Sequence, residues 1–224
     1  MTQPLASSVL RAKPLPPALL AEVPDHPACA EALALAQSSL PASIFNHSLR
    51  VSLYALRHSP TETSKASFVA PSAAPYALFV ACILHDIGAA DAVAGDHSQR
   101  FEVAGADVAA SLLKRHGVGD EVVREVWLAI AMHTSPHVAE GAGGLVRVLR
   151  LSVRADFGTY AIDETVVNET EHQLPRLDVE KELGDAVVRQ ALLLPSKAPG
   201  GSWPADLTRA HAAEPEWDGI NKAF

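Results

Sequence analysis

Nowhere in this chain do apolar and polar residues alternate for long; where apolar residues recur, they do so every three or four positions. That spacing lines one face of a helix and leaves no half-buried strand to pair with another. The stretch SIFNHSLRVSLYALRHS shows it, with Ile44, His47, Val51, Tyr54 and Ala55 on one face. Further helices are predicted from Pro27 onward, from about Ala74 into His85-Asp86, and at about 100–116, 120–134, 144–158 and 178–193. Pro27 suits a first helical turn, and Gly117 and Gly119 act as stops. Residues 59–74 and 89–98 read as loops, and the tail from Pro195 as mostly loop with one short helix. Pro4, Pro14, Pro16, Pro17 and Pro24 make residues 1–26 an extended surface arm. The expected fold is all-α, a single helical bundle of six to eight helices, and 224 residues suffice for one cored domain.

Charge and hydropathy narrow the function classes. The net charge is −8, with no Lys/Arg-rich run. A nucleic-acid or anionic-membrane partner is therefore disfavoured. No apolar stretch approaches the roughly 20 residues of a membrane span. The N-terminus has no long apolar region behind a basic start, so no secretory signal is read. Cys29 and Cys82 both fall in apolar helical patterns and are expected to be free and buried, which suits a reducing, cytoplasmic setting. GAGG at 141–144 lacks the Lys-Ser/Thr of a phosphate loop, and no Gly-x-Ser-x-Gly elbow is present.

The chemistry concentrates where polar residues occupy core positions. In FVACILHDIGAAD the apolar run Phe79–Leu84 ends in His85-Asp86. His47 lies on an apolar helix face, His133 ends the apolar EVWLAIAMH, and Asp156 sits inside LRLSVRADFGTY. A buried carboxylate needs a partner or a metal. Each residue taken alone has an ordinary explanation: a core hydrogen bond for a histidine, a cap or an arginine (Arg50 or Arg154) for an aspartate. Taken together they offer imidazoles and carboxylates to one divalent ion, and such a set suits zinc, iron or manganese.

The ordered set NHSLRV (46–51), ILHDIG (83–88), AMH (131–133) and RADFG (154–158) resembles the HD-domain superfamily of metal-dependent hydrolases. Within it, NHSLRV, LHDI followed by Asp91, FEVAGAD, LPRLDVEKELGDAVVRQAL and the Ser-Trp-Pro near 203 look like the fungal cyanamide hydratase family. The resemblance covers most of the chain from residue 27, which would make 27–224 an HD domain with a loop-rich tail. It implies His47, His85, Asp86 and Asp156 as ligands of one zinc ion, with Fe2+ or Mn2+ as alternatives. It also implies hydration of cyanamide to urea. One departure stands out: Ala89-Ala90 occupy places where that family often has threonine.

On this reading Asp86, Glu102 and His133 are the expected catalytic groups, and Asn46, Asp91 and Trp203 the expected substrate contacts. The partner is a small molecule, and a homo-oligomer is compatible with the Ala-rich helices. The alternative is an HD-type phosphohydrolase acting on a nucleotide or another phosphate ester. Some HD nucleotidases place a Glu three residues after the aspartate of the motif, where this chain has Ala89; Arg50 and Arg100 keep that branch open. A non-enzymatic helical module is a third reading, separable by metal content.

Overall fold

The computed structural model describes residues 15–57, 74–95 and 98–224. It is all-α, with no strand among the described residues. The helices are α1 (Pro17–Leu20), α2 (Pro27–Ser39), α3 (Ala42–Arg57), α4 (Pro75–Leu84), α5 (Asp91–Ala94), α6 (Phe101–Arg115), α7 (Asp120–Met132), α8 (Val138–Ala142), α9 (Gly144–Asp156), α10 (Glu164–Gln173), α11 (Val179–Leu193) and α12 (Trp203–Ala213). Short 3-10 turns cover Ile87–Ala89 and Pro195–Lys197.

Among the described residues twelve helices replace the expected six to eight. Part of the excess comes from single turns. Pro17–Leu20 interrupts the stretch read as an extended arm, and Asp91–Ala94 falls in the stretch read as a loop. Residues 1–14 of the expected arm and nearly all of the stretch 59–74 read as a loop lie outside the described residues. The larger surprise is α10, whose polar face gives little periodicity; the short helix expected in the tail is α12, opened by the Ser202 cap and Pro204 in its first turn.

Helix α4 is the axis of the core. Every residue from Ala77 to Leu84 is buried, so it is apolar all round rather than striped. Helices α2, α3, α6, α7 and α9 pack around it. The amphipathic α3 and α9 turn their apolar stripes inward and bring His47 and Asp156 with them.

The turn after α4 is gripped by backbone contact. A Cβ on Gly88 would lie 1.9 Å from the Phe101 carbonyl oxygen and 2.9 Å from the Gly105 nitrogen. Only glycine lets the 3-10 turn lie this close on α6. From the other side the buried Gln190 of α11 donates through Nε2 to the carbonyls of Gly88 at 3.0 Å and Ala89 at 3.2 Å. His85-Asp86 therefore sits between a buried helix and a turn clamped on two sides.

Candidate metal centre

Three elements deliver the central groups: α3 carries His47, His85 caps α4, and Asp86 opens the 3-10 turn. All three side chains are buried. His47 Nε2 lies 3.1 Å from His85 Nε2 and 3.5 Å from Asp86 Oδ2, and His85 Nε2 lies 3.1 Å from the same oxygen. Adjacent ligand atoms around an ion with bonds of about 2.1 Å stand about 3.0–3.4 Å apart, so this triangle has the dimensions of one face of a coordination shell. His133, capping α7, adds a fourth group, with Nε2 3.4 Å from Asp86 Oδ1.

The outer hydrogen bonds settle which nitrogen faces inward. The Nδ1–H of His85 donates to the Cys82 carbonyl at 2.7 Å, and that of His133 to the Ile130 carbonyl at 2.7 Å. His47 Nδ1 meets Asp156 Oδ2 at 2.6 Å. Each neutral ring thus turns an Nε2 lone pair toward the Asp86 carboxylate. Both Asp86 oxygens are buried without a well-oriented hydrogen-bond donor. Lone pairs and a carboxylate pointing at one another repel unless a cation lies between them, and the outer bonds are those that orient metal-binding histidines. The residues present fit a divalent metal ion.

Before an ion binds, a proton on a facing ring can answer the Asp86 carboxylate instead, and the local field leans that way at His85. Burial pushes the His47 imidazole below its ordinary value. Burial alone would raise the Asp86 carboxyl, but the His85 and His133 rings outweigh it and hold it well below the usual range. Burial would lower His85, yet the adjacent Asp86 carries it above its ordinary value.

Asp156 stands outside the triangle, behind the His47 ring. Arg50 Nε reaches Asp156 Oδ1 at 2.6 Å and the NH2 group reaches Oδ2 at 2.7 Å, while Oδ2 also meets His47. Both oxygens accept hydrogen bonds, and the carboxylate orients His47 from behind. Arg50 is itself fully buried and donates through NH1 to the carbonyls of Leu174 at 3.1 Å and Pro175 at 3.2 Å.

The group opens into a cavity of about 300 Å³ lined by His47, His85, Asp86, His133, Thr134 and Trp203, among others. A chain of rings forms much of its wall. Phe157 lies 4.7 Å from the His47 ring and 5.0 Å from Phe224, and Trp203 lies 5.4 Å from Phe224. Phe101 lies 6.0 Å from Trp203 and 5.8 Å from His133, closing the circuit behind the cavity. Arg150 and Arg154 also line it, and both pair with Glu140, at 3.1 Å and 3.4 Å.

The expected substrate contacts divide. Trp203 lines the cavity, from the first turn of α12 rather than from a loop. Asn46 does not line it; its Nδ2 donates to the Pro175 carbonyl at 2.9 Å. Asp91 is 80% exposed, paired with Arg189 and away from the cavity. Glu102, expected to be catalytic, is buried behind Thr134 and bound by Arg100. His137 is exposed and does not line the cavity. The sequence reasoning missed Thr134, Phe224, Arg150 and Arg154. For Thr134 the available signal was its place directly after His133; Phe224 lies in an aperiodic tail that gave none.

Comparison with known families adds one match: a family model described as HD domain fits residues 44–181, well over half of the chain. No curated protein matches it.

Proposed function

The chain belongs to the HD-domain family, whose hallmark is metal-dependent hydrolysis, and from that footing we propose that it hydrates a small nitrile such as cyanamide to urea. The observation that supports this reading is the cavity: about 300 Å³, at the small end for ligand sites, and walled largely by aromatic and aliphatic side chains beside the His-His-Asp group. A short, linear, uncharged molecule suits that space.

On this proposal His47, His85 and Asp86 hold one divalent ion, zinc by preference, with His133 beside them. A bound ion there supplies a Lewis acid that acidifies water and polarises the C≡N group. His133 moves the proton. Its Nδ1–H is fixed on the Ile130 carbonyl, so Nε2 is free to take a proton from the attacking water and return it to the nitrile nitrogen. Water adds across C≡N, its oxygen bonding to carbon and its hydrogens ending on nitrogen. Nothing is expelled, so no leaving group needs its own acid. Trp203, Phe157 and Phe224 exclude bulk water.

A phosphate ester is the second reading, and Arg150 and Arg154 on the cavity wall favour it. Arg50 and Arg100, the cations first considered for that role, are committed to Asp156 and Glu102. Metal analysis beside a urea-release assay separates the readings. About one zinc per chain with urea formed from cyanamide supports the hydratase. Metal with phosphate release from nucleotides and no urea would replace it.

A further inference from the structure

Glu102 is a fully buried carboxylate that the proposed reaction leaves without a part. Its surroundings give it one. Arg100 Nε donates to Oε2 at 2.9 Å and its NH2 group to Oε1 at 2.5 Å. The same NH2 group donates to Thr134 Oγ1 at 2.9 Å, and Thr134 Oγ1 lies 2.6 Å from Glu102 Oε1. A guanidinium only donates, and a carboxylate paired with it only accepts. The Thr134 hydroxyl must therefore give its single proton to Glu102 and take a hydrogen bond from Arg100. Of its hydrogen-bonding capacity one lone pair is left and no proton.

Thr134 lines the cavity and follows His133 directly in the chain. We propose that Thr134 presents a fixed hydrogen-bond acceptor to the cavity and selects substrates that carry an N–H or O–H donor beside the reacting carbon. Glu102 and Arg100 are positioning residues that set this polarity. The inference rests on the small-nitrile reading and sharpens it. An acceptor in a largely apolar wall is costly to leave unpaired once water is displaced. Cyanamide places an amino group where acetonitrile, with the same linear heavy-atom skeleton, places a methyl. A site built around such a hydrogen bond rejects the isostere that lacks it far more strongly than an apolar pocket distinguishes methyl groups.

The test compares kcat/KM for cyanamide and acetonitrile in the metal-loaded wild type, Thr134→Val and Thr134→Ser. Thr134→Val is expected to reduce the cyanamide preference by about tenfold or more, through cyanamide alone, while Thr134→Ser keeps it within about threefold. An unchanged ratio in Thr134→Val overturns the proposal. Proton NMR gives a readout without turnover. The Thr134 hydroxyl proton is expected as a slowly exchanging resonance, lost in Thr134→Val and displaced in Glu102→Gln. Its absence from the folded wild type would also overturn the proposal. If the wild type hydrates neither nitrile while the resonance is present, the nitrile reading falls and the acceptor polarity of Thr134 stands. Urea formation with a flat ratio and no such resonance does the reverse.

Discussion

At the scale of single residues, burial decides what each polar group must have as a partner. Asp156 finds its partners within the protein, and Arg50 is the principal one. Removing the guanidinium strands a carboxylate in the core, so Arg50→Met is expected to destabilise the fold by about 3–5 kcal/mol, read by denaturant unfolding. A loss below 1 kcal/mol would show that Asp156 is satisfied without it. For Asp156 the residue types alone allowed an arginine pair, while the family resemblance implied a metal ligand. Residue order could not choose, because Arg50 and Asp156 are 106 positions apart and only the packing of α3 on α9 shows which groups meet. The cysteines were more legible, since both sit in apolar helical patterns and both prove free and buried. Burial pushes the Cys29 thiol up to about 12 and raises Cys82 as well, so neither forms thiolate near neutrality. Ellman's reagent at pH 8 should therefore titrate no thiol in the folded protein and two in denaturant.

At the scale of elements, the core helices were readable because an apolar stripe and its stops are local signals. Helix α4 announced itself by the run Phe79–Leu84, and α6 and α7 by the glycines between them. Helix α10 was missed for the same physical reason: Thr170 is its one buried residue, so no stripe exists to read. What sequence could not show is the contact between elements that holds the motif in place. Gly88→Ala would drive a Cβ into the Phe101 carbonyl, and a loss of about 3 kcal/mol or more is expected. Gly119→Ala, at the N-cap of α7 with open space around it and an ordinary φ of −64°, should cost no more than about 1 kcal/mol. Equal melting temperatures for the two variants would refute the close packing of the 3-10 turn on α6. A second link joins α2 to α6, where Arg115 and then His116 hold the Glu31 carboxyl below its ordinary value. A lowered carboxyl stabilises above its unfolded value and loses that contribution as pH falls through the folded one. The small stability difference between wild type and Glu31→Gln should thus be present at pH 7 and shrink progressively as pH falls below the ordinary glutamate range, followed by thermal melts.

At the scale of the whole molecule, the candidate centre ties together elements that are distant in the chain. His47 comes from α3 and His85 and Asp86 from the end of α4, so an ion held there fastens two core helices, with His133 from the end of α7 beside it. Without a cation, three lone pairs and a carboxylate face one another in the core. A ligand that binds only the folded state stabilises by about 2.7 kcal/mol at a hundredfold excess over its dissociation constant. For a chain of this size that corresponds to a rise in Tm of roughly 5–10 °C. Zinc added to chelator-treated protein is accordingly expected to raise Tm by that amount, and EDTA to reverse it. Asp86→Ala removes the only carboxylate of the triangle and should abolish the rise, whereas Asp91→Ala, on an exposed side chain outside the cavity, should leave it intact. A rise that persists in Asp86→Ala would mean that the stabilising ion sits elsewhere and that the burial of Asp86 has another cause.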